Sequence, residues 1–251
     1  YVIIVIIMKS KFSFNSFSVV VPVFNEQEIL EESINNILSI CNRTKLKFEI
    51  ILSENGSNDS TLELSKKISS KHEEIRVIHS GIPNYGMALK SGFVEAKNQL
   101  VVSFDIDYYS ENFLNEALCL DDNFSAITAS KRLAESNDGR RFVRKIATNS
   151  FVFLLKFLFS TSLSDTHGMK AIRKKCIDEF ISDVVSTQDI FDTELLIRIE
   201  KSGEKIKEVP AIVNEIRPSV SVIYKRIPRT LKSLLKLKII FYKDSLKTKN
   251  L

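Results

Sequence analysis

The feature of this sequence that most limits its fold is the alternation of short β-branched runs with amphipathic stretches over its first two-thirds. Such alternation predicts βαβ units. The candidate strands are residues 18–22, 48–53, 76–79, 100–104, 126–129 and 206–213. We therefore predict an α/β fold built on a single Rossmann-like, mostly parallel sheet flanked by helices.

Two helices are predicted between the first strands. Asn25 and Glu28 have the spacing of a capping box, and apolar residues then recur at helical spacing over residues 29–41. The second helix is predicted to begin near residues 59–60 and to turn Leu62 and Ile68 inward.

Polar clusters follow three of the predicted strands. They are Asn25-Glu26, the run Glu54-Asn55-Gly56-Ser57, and Asp105-Ile106-Asp107. Ligands of parallel α/β sheets bind beyond the carboxyl ends of the strands. The three clusters together therefore predict a binding site at this edge, with a tight turn at Gly56.

Asp105 and Asp107 follow the apolar run LVVSF, and strand alternation predicts that both carboxylates point to the same side. Two carboxylates so placed suit a hard divalent cation, Mg²⁺ or Mn²⁺. Such a metal could neutralise charge on a departing nucleotide diphosphate. A solvated loop is the alternative for an isolated D-x-D, but the neighbouring motifs favour the metal site. At the second cluster, Glu54 or Asn55 is predicted to accept a hydrogen bond from the N–H of a nucleotide base, and the alternative is a strand-to-helix turn without a binding role.

The charge is unevenly distributed along the chain. The formal net charge is +5, but residues 225–251 contain nine Lys or Arg against one acidic residue, so this tail carries +8 and the rest carries −3. Within residues 229–247 an apolar stripe (Leu231, Leu235, Ile239, Tyr242, Leu246) runs beside a basic one (Lys232, Lys236, Lys243, Lys247). Such a C-terminal basic amphipathic helix could lie on anionic lipid or dock on the protein's own body.

The remaining composition indicates a cytosolic setting. Three cysteines, an odd number without a C-x-x-C pair, are typical of reduced thiols. The apolar residues 1–7 are too short to span a bilayer and lack a preceding basic region. We interpret Met8 as a plausible start and residues 1–15 as an N-terminal extension.

Five ordered segments resemble the family 2 glycosyltransferases, especially the branch of dolichyl-phosphate mannose and glucose synthases. They are VVVPVFNEQE, IILSENGSNDST, VVSFDID, SDTHGMKAIRK and FDTELLIRIEKSGEKIKEVP. The resemblance covers about residues 18–221 and implies a GT-A fold, an inverting transfer and a Mg²⁺ or Mn²⁺ cofactor. We expect a GT-A domain over residues 16–223 and the basic tail over residues 224–251.

The resemblance also assigns residues. It implies Asp105 and Asp107 as metal ligands. The position of a third metal-side ligand, a Gln in the mannose synthases, is occupied here by Tyr109, a departure which implies that the coordination relies more on water. The late Arg217 resembles an Arg that closes over the diphosphate. The positions implied to contact the nucleotide are Pro22, Phe24, Glu26, Glu54 and Asn55, and the last two replace the usual pair of aspartates.

Acceptor binding is predicted from charge. Lys131 and Arg132 follow a predicted strand, and further basic residues at 140–145 precede the apolar segment 151–159, which could be a core helix or lie at a membrane interface. Arginine suits phosphate recognition, although a solvated helix face is the alternative. The resemblance implies that Arg144 and Thr148 grip an acceptor phosphate.

The acceptor decides whether a base is required. A phosphate monoester, with a second pKa near 6, is already an anionic nucleophile, whereas a sugar hydroxyl must lose a proton to a carboxylate. Asp165 and Asp192 are the candidates for that catalytic role or for orienting the acceptor. His167 is expected to be a polar structural or acceptor-side residue.

The expected function is transfer of a sugar from a GDP-mannose or UDP-glucose type donor to a polyprenyl (dolichyl-type) phosphate, by a peripheral protein at the cytosolic membrane face. A glycosyltransferase acting on a glycan or glycolipid hydroxyl is the first alternative. The second, a non-catalytic membrane or nucleic-acid binder, is disfavoured by the acidic body, and no nucleic-acid partner is expected. A sugar nucleotidyltransferase is disfavoured because VPVFNEQE contains no glycine.

Overall fold

The computed structural model describes residues 12–138, 142–213 and 223–249, with side chains described for 12–136, 145–212 and 227–244. The strands within these ranges are β1 (Ser16–Val23), β2 (Lys47–Glu54), β3 (Ile75–His79), β4 (Leu100–Ser103), β5 (Ala126–Ser130), β6 (Asn137–Asp138), β7 (Lys170–Arg173), β8 (Ile206–Pro210) and β9 (Ile212–Val213). The helices are α1 (Leu30–Arg43), α2 (Thr61–Ser69), α3 (Tyr85–Glu95), α4 (Glu111–Leu118), α5 (Phe142–Phe159), α6 (Lys174–Phe180), α7 (Phe191–Lys201) and α8 (Ile223–Lys249). Residues 1–11 of the predicted N-terminal extension lie outside the described residues, and Phe14 of its last four residues is buried in the core.

Seven strands form the main sheet in the order β3-β2-β1-β4-β7-β5-β8. All neighbouring strands are parallel except β7, which is antiparallel to both β4 and β5. The prediction of a mostly parallel sheet is confirmed. The predicted strand 206–213 divides into β8 in this sheet and β9, which pairs with β6 in a separate two-stranded sheet.

Apolar side chains cover both faces of the sheet, as expected for strands buried between helices. In β1, Val19 and Val21 pack on the side of α1, α2 and α4, whereas Val20 packs on the side of α3, α6 and α7. The two layers of helices leave the carboxyl edge of β1, β2 and β4 to be lined by loops.

The predicted capping box is wrong. Helix α1 begins at Leu30, its N-cap Ile29 makes no side-chain cap, and Asn25 has a positive φ of 55°. The side-chain oxygen of Asn25 instead accepts a hydrogen bond from the backbone N–H of Asn58, 2.9 Å away. Local spacing suggested a cap, but a contact across 33 residues decides where this side chain points. In α2, Ile68 is buried as predicted, whereas Leu62 is only half-buried.

Segment 151–159 forms part of α5 and is mainly a core helix. Leu155 and Phe159 are buried in a third apolar cluster with residues of α7 and α8, but Phe153 and Phe157 are 73% and 76% exposed. Among the described residues no helix is long and apolar enough to cross a membrane.

Helix α8 docks on the body through a face that the sequence pattern did not single out. Its buried residues are Leu234 and Leu237, which pack against α5 and α7. The predicted apolar stripe remains exposed, by 42% at Leu231, 58% at Leu235 and 56% at Ile239. The two alternatives for the tail therefore do not compete, because one face of α8 docks and another stays accessible.

Packing of α3 on the sheet generates a prediction about stability. A Cβ at Gly92 would lie 2.3 Å from Cγ1 of Val20 in β1, so we expect Gly92→Ala to lower the free energy of unfolding by about 1–3 kcal/mol despite the better helix propensity of alanine. Urea denaturation of Gly81→Ala is the control, because a Cβ there meets nothing within 4 Å. Equal stability of Gly92→Ala and the wild type would contradict this packing.

Candidate functional site

The turns after β1 and β2 are joined to each other by hydrogen bonds. The backbone N–H of Asn25 donates to Oγ of Ser57 at 3.0 Å, and the N–H of Glu26 donates to Oγ1 of Thr61 at 2.8 Å. Pro22 is buried beneath this junction, whereas Phe24 is 40% exposed above it. The predicted nucleotide contacts of the first strand thus share one surface with the second turn.

Glu54 and Asn55 are buried and shape the second turn. Glu54 accepts a hydrogen bond from the N–H of Ser57 at 2.6 Å and contacts the ring of His79. Burial raises the pKa of Glu54, but the hydrogen bonds from Ser57 and His79 outweigh it, so the pKa lies below its usual range. Gly56 has a φ of 72°, as the predicted tight turn requires, and a Cβ at this position would lie 3.1 Å from the backbone of Gly81, which leaves little room for a side chain.

The first turn of α3 bridges the second turn and the D-x-D segment. The backbone N–H of Asn84 donates to Oδ1 of Asn55 at 2.6 Å, and the Asn84 side chain caps α3. The next residue, Tyr85, donates its hydroxyl to Oδ1 of Asp105 at 2.8 Å. The carboxyl ends of β2 and β4 are therefore connected through two adjacent residues.

The D-x-D segment lies in a turn and not on the strand. Strand β4 ends at Ser103, and Asp105 and Tyr108 exchange backbone hydrogen bonds of 3.1 and 3.0 Å. Strand alternation is therefore the wrong basis for the direction of the two carboxylates. Asp105 is half-buried and Asp107 is exposed, so they differ in access to solvent.

Negative charge is concentrated around Asp105. Burial raises the pKa of Asp105, and the nearby carboxylates of Asp107 and Asp192 raise it further, against the lowering effects of the Tyr85 hydrogen bond and the Lys170 ammonium. Three carboxylates thus share the neighbourhood of one lysine. An added cation would relieve this repulsion.

Asp192 lies in the first turn of α7 and is 3% exposed. Its Oδ2 accepts from Nζ of Lys170 at 3.0 Å, and its Oδ1 accepts from the N–H of Thr193 at 2.9 Å. Burial raises the pKa of Asp192, but Lys170, His167 and these hydrogen bonds outweigh it and hold the pKa below its usual range. Both oxygens of Asp192 are already engaged.

Asp165 is engaged in the same way. It is 2% exposed, its Oδ2 lies 2.9 Å from Nζ of Lys131, and its Oδ1 accepts from the N–H of His167 at 3.0 Å. The ring of His167 lies against Phe151 and its Nε2 lies 3.0 Å from the carbonyl oxygen of Asp189. These contacts give His167 a structural position.

The predicted acceptor residues are partly brought together. The guanidinium of Arg132 contacts the side-chain oxygen of Asn149 on α5, next to the half-buried Thr148. Arg144 belongs to the same helix, but its side chain lies outside the described residues, as does all of Arg217. Lys131 faces inward to its ion pair with Asp165.

The residues at the D-x-D suit a metal that keeps part of its coordination shell for substrate and water. Mg²⁺ typically uses one or two protein carboxylates together with phosphate oxygens and water. Within the described ranges no three His, Cys, Asp or Glu side chains form a complete metal-binding group. The two carboxylates and the excess of negative charge at Asp105 fit a divalent cation of this partly hydrated kind.

Three contributors to the site were not found from the sequence. Tyr85 and Asn84 follow a loop without a known motif, and their contacts depend on residues about 20 to 29 positions away in the chain. Lys170 offered one signal, since a lysine at the start of the apolar run KAIR is unusual for a central strand that is buried on both faces.

Comparison with known proteins places this geometry in a family. Residues 18–181 match the family described as Glycosyl transferase family 2, which is more than half of the sequence, and the chain belongs to that family. Glycosyltransferase AglD of Haloferax volcanii is 26% identical over 200 residues, covering 77% of this chain and 32% of AglD. The undecaprenyl-phosphate 4-deoxy-4-formamido-L-arabinose transferase of Salmonella choleraesuis is 27% identical over 169 residues. These residues cover 65% of this chain and 50% of that transferase. The chain spans a half or less of the length of these two relatives.

Solved structures confirm the GT-A fold. Glucosyl-3-phosphoglycerate synthase from Mycobacterium tuberculosis, in complex with Mn²⁺, UDP-glucose and phosphoglyceric acid, superimposes with a TM-score of 0.65 at 18% identity, covering 89% of this chain and 80% of that one. Mannosyltransferase PcManGT from Pyrobaculum calidifontis, in complex with GDP-Man and Mn²⁺, gives a TM-score of 0.59 at 18% identity. The superposition covers 85% of this chain and 60% of the mannosyltransferase. The chain therefore combines membership of this family with a mostly parallel seven-stranded sheet.

The buried Lys170–Asp192 pair generates the second prediction. We expect Lys170→Met to lower the free energy of unfolding by about 3–5 kcal/mol, because it leaves the carboxylate of Asp192 buried without its counter-ion. Chemical denaturation measures the loss. Lys174→Met is the matched control, since its partner Asp178 is 58% exposed and such pairs contribute about 0–1 kcal/mol. Similar losses in the two variants would argue against a special role for the buried pair.

Proposed function

We propose that this protein transfers a sugar, with inversion, from a nucleotide-diphosphate sugar of the GDP-mannose or UDP-glucose type to a polyprenyl phosphate at the cytosolic face of a membrane. The reaction would use Mg²⁺ or Mn²⁺. The observation that carries the proposal is that the two candidate general bases named from the sequence, Asp165 and Asp192, are buried and already bound by lysines. Such a site suits an acceptor that needs no deprotonation.

The nucleotide would occupy the joined turns after β1 and β2. Phe24 supplies exposed apolar surface there, and the backbone of Glu26 is held by Thr61. Glu54 and Asn55 would act mainly by holding the shape of this turn, since their side-chain oxygens already accept hydrogen bonds from Ser57 and Asn84. We propose Arg217 as the residue that closes over the diphosphate.

Asp105 and Asp107 would hold the divalent cation, and the structural relatives support this because both are complexes with Mn²⁺. When bound, the cation would neutralise charge on the departing nucleotide diphosphate. The ion pair of Lys170 with Asp192 would keep that buried carboxylate ionised and fixed beside the donor. We assign Asp192 a role in orienting substrate.

A phosphate acceptor and a hydroxyl acceptor differ in whether a proton must be removed from the attacking oxygen. An oxygen of the acceptor phosphate bonds to the anomeric carbon while the bond from that carbon to the nucleotide diphosphate breaks, and no proton need leave the nucleophile. A phosphate monoester with a second pKa near 6 is largely dianionic at neutral pH. A hydroxyl acceptor would instead need a carboxylate with a vacant oxygen and an ordinary or raised pKa, whereas the pKa of Asp192 is lowered.

The acceptor phosphate would bind beside the start of α5. The guanidinium of Arg132 contacts Asn149 on this helix, and Arg144 and Thr148 lie in the first two turns of the same helix. Lys131 would contribute by holding Asp165 in place. The Salmonella choleraesuis relative is named as a transferase for undecaprenyl phosphate, and its name supports this class of acceptor.

Membrane contact would occur through α8. Its stripe of Leu231, Leu235 and Ile239 is exposed, and Lys232 and Lys236 lie exposed beside it. The negative surface potential of a cytosolic leaflet attracts such basic segments. The +8 charge of residues 225–251 supports anionic lipid as the surface.

A transfer assay tests the function. With Mn²⁺ and a detergent-dispersed short-chain polyprenyl phosphate, the purified chain should move label from GDP-mannose or UDP-glucose into an organic-extractable product. Asp107→Asn should reduce the rate by about 100-fold or more, because a ligand of the charge-neutralising cation is lost. Asp122→Asn is the control, since Asp122 pairs with Arg173 at the surface. Transfer of label to an added glycan or glycolipid, without transfer to the polyprenyl phosphate, would favour the alternative, a glycan or glycolipid hydroxyl as acceptor.

Vesicle sedimentation tests the membrane contact. We expect the double variant Leu235→Ser, Ile239→Ser to bind anionic vesicles at least about tenfold more weakly, because each side chain contributes apolar area to the bilayer interface. The double variant Val94→Ser, Val185→Ser removes two other exposed apolar side chains, which lie outside α8, and should bind as the wild type does. Equal binding of wild-type protein to zwitterionic and anionic vesicles would contradict the role of the lysines.

A further inference from the structure

The hydroxyl of Tyr85 joins the nucleotide side of the site to the D-x-D segment. It donates to Oδ1 of Asp105 at 2.8 Å, and no described residue donates a hydrogen bond to the other oxygen, Oδ2. Tyr85 is the first residue of α3, directly after the N-cap Asn84, whose N–H is bound by Asn55. One turn of the site therefore holds the backbone of the residue before Tyr85, and the other turn binds the tyrosine's hydroxyl.

We propose that Tyr85 is a positioning residue that orients the Asp105 carboxylate for the divalent cation. The proposal rests on the proposed function, which places that cation at Asp105 and Asp107. A terminal carboxylate otherwise rotates broadly about χ2, and a hydrogen bond to an ionised oxygen is among the stronger kinds. The bond commits Oδ1 to the tyrosine and leaves Oδ2 to face a cation.

A second tyrosine shows that this contact is specific. Tyr109 lies two residues beyond Asp107 in the sequence, yet its hydroxyl accepts a hydrogen bond from Nδ2 of Asn36 on α1, at 3.1 Å. A phenol only two residues beyond the D-x-D is thus directed to a helix, while the phenol that reaches Asp105 comes from 20 residues upstream. The two residues offer a matched comparison, because each can lose one oxygen atom and keep its ring.

The expected size of the effect follows from other metal sites. Groups that hydrogen-bond a ligating side chain typically change metal affinity or activity by about 10- to 100-fold when they are removed. Tyr85 is 41% exposed, so its replacement by phenylalanine does not open a cavity in the core. We expect Mn²⁺ to bind Tyr85→Phe about tenfold more weakly.

The experiment measures Mn²⁺ binding by electron paramagnetic resonance, with and without a nucleoside diphosphate, for the wild type, Tyr85→Phe and Tyr109→Phe. Tyr85→Phe should weaken binding about tenfold, and Tyr109→Phe should stay within about twofold of the wild type. In transfer assays, Tyr85→Phe should raise the Mn²⁺ concentration for half-maximal rate and keep most of kcat at saturating Mn²⁺. Melting temperatures of the two variants should match that of the wild type.

Unchanged or tighter Mn²⁺ binding in Tyr85→Phe would overturn the proposal, as would an equal loss in Tyr109→Phe. A loss of kcat that saturating Mn²⁺ does not restore would also overturn it, because the hydroxyl would then act in a later step. Each of these three results overturns the role of Tyr85 but leaves the proposed function intact, provided that the wild type transfers sugar in a Mn²⁺-dependent way. If the wild type neither binds Mn²⁺ nor transfers sugar, the proposed function fails and the role of Tyr85 fails with it.

Discussion

The site depends on one constraint, which is that polar groups buried at the carboxyl edge of the sheet must each find a hydrogen-bond partner. The buried Glu54 is satisfied by Ser57 and His79, and the buried Asn55 by the start of α3, while exposed hydrogen bonds of Asn25 with the turn after β2 add the turn after β1 to this arrangement. Each partner comes from a different segment of the chain. The turns therefore hold one arrangement together, and none could be moved alone without leaving a donor or acceptor unpaired.

The antiparallel strand β7 extends this arrangement to the charged side of the site. Because β7 runs against β4 and β5, its first residue, Lys170, lies at the edge where β4 ends. A parallel strand in the same place would deliver its last residue there. The reversal lets one buried lysine face Asp192 at 3.0 Å while its charge also acts on Asp105. The loop that precedes β7 brings Asp165 to Lys131, so both buried carboxylates, Asp165 and Asp192, have a lysine partner.

Helix α5 connects the proposed acceptor site to the exposed apolar surface. Its first half carries Arg144 and Thr148, and its second half buries Leu155 and Phe159 against α7 and α8. The exposed Phe153 and Phe157 lie on the face turned away from that contact. An acceptor with a phosphate head and an apolar chain would meet, on one helix, residues suited to both of its parts.

Much of this protein could be predicted from its residues in order. The runs of β-branched residues determine the strands of the parallel sheet, and the motifs that follow β1, β2 and β4 determine where polar chemistry lies, because both depend on local spacing. The family was accessible for the same reason, since its five motifs are contiguous segments. Even the exposed stripe of α8 follows from helical periodicity.

Tertiary structure alone decided the partners. Asn25 binds the turn after β2 and does not cap α1, Tyr85 reaches Asp105, and Lys170 neutralises Asp192. It also decided that α8 docks through Leu234 and Leu237 and leaves its more regular stripe exposed. The physical reason is that a side chain's hydrogen-bond and ion-pair partners are chosen by the need to satisfy buried charge and polarity across the fold, and that need has no signature in nearby sequence.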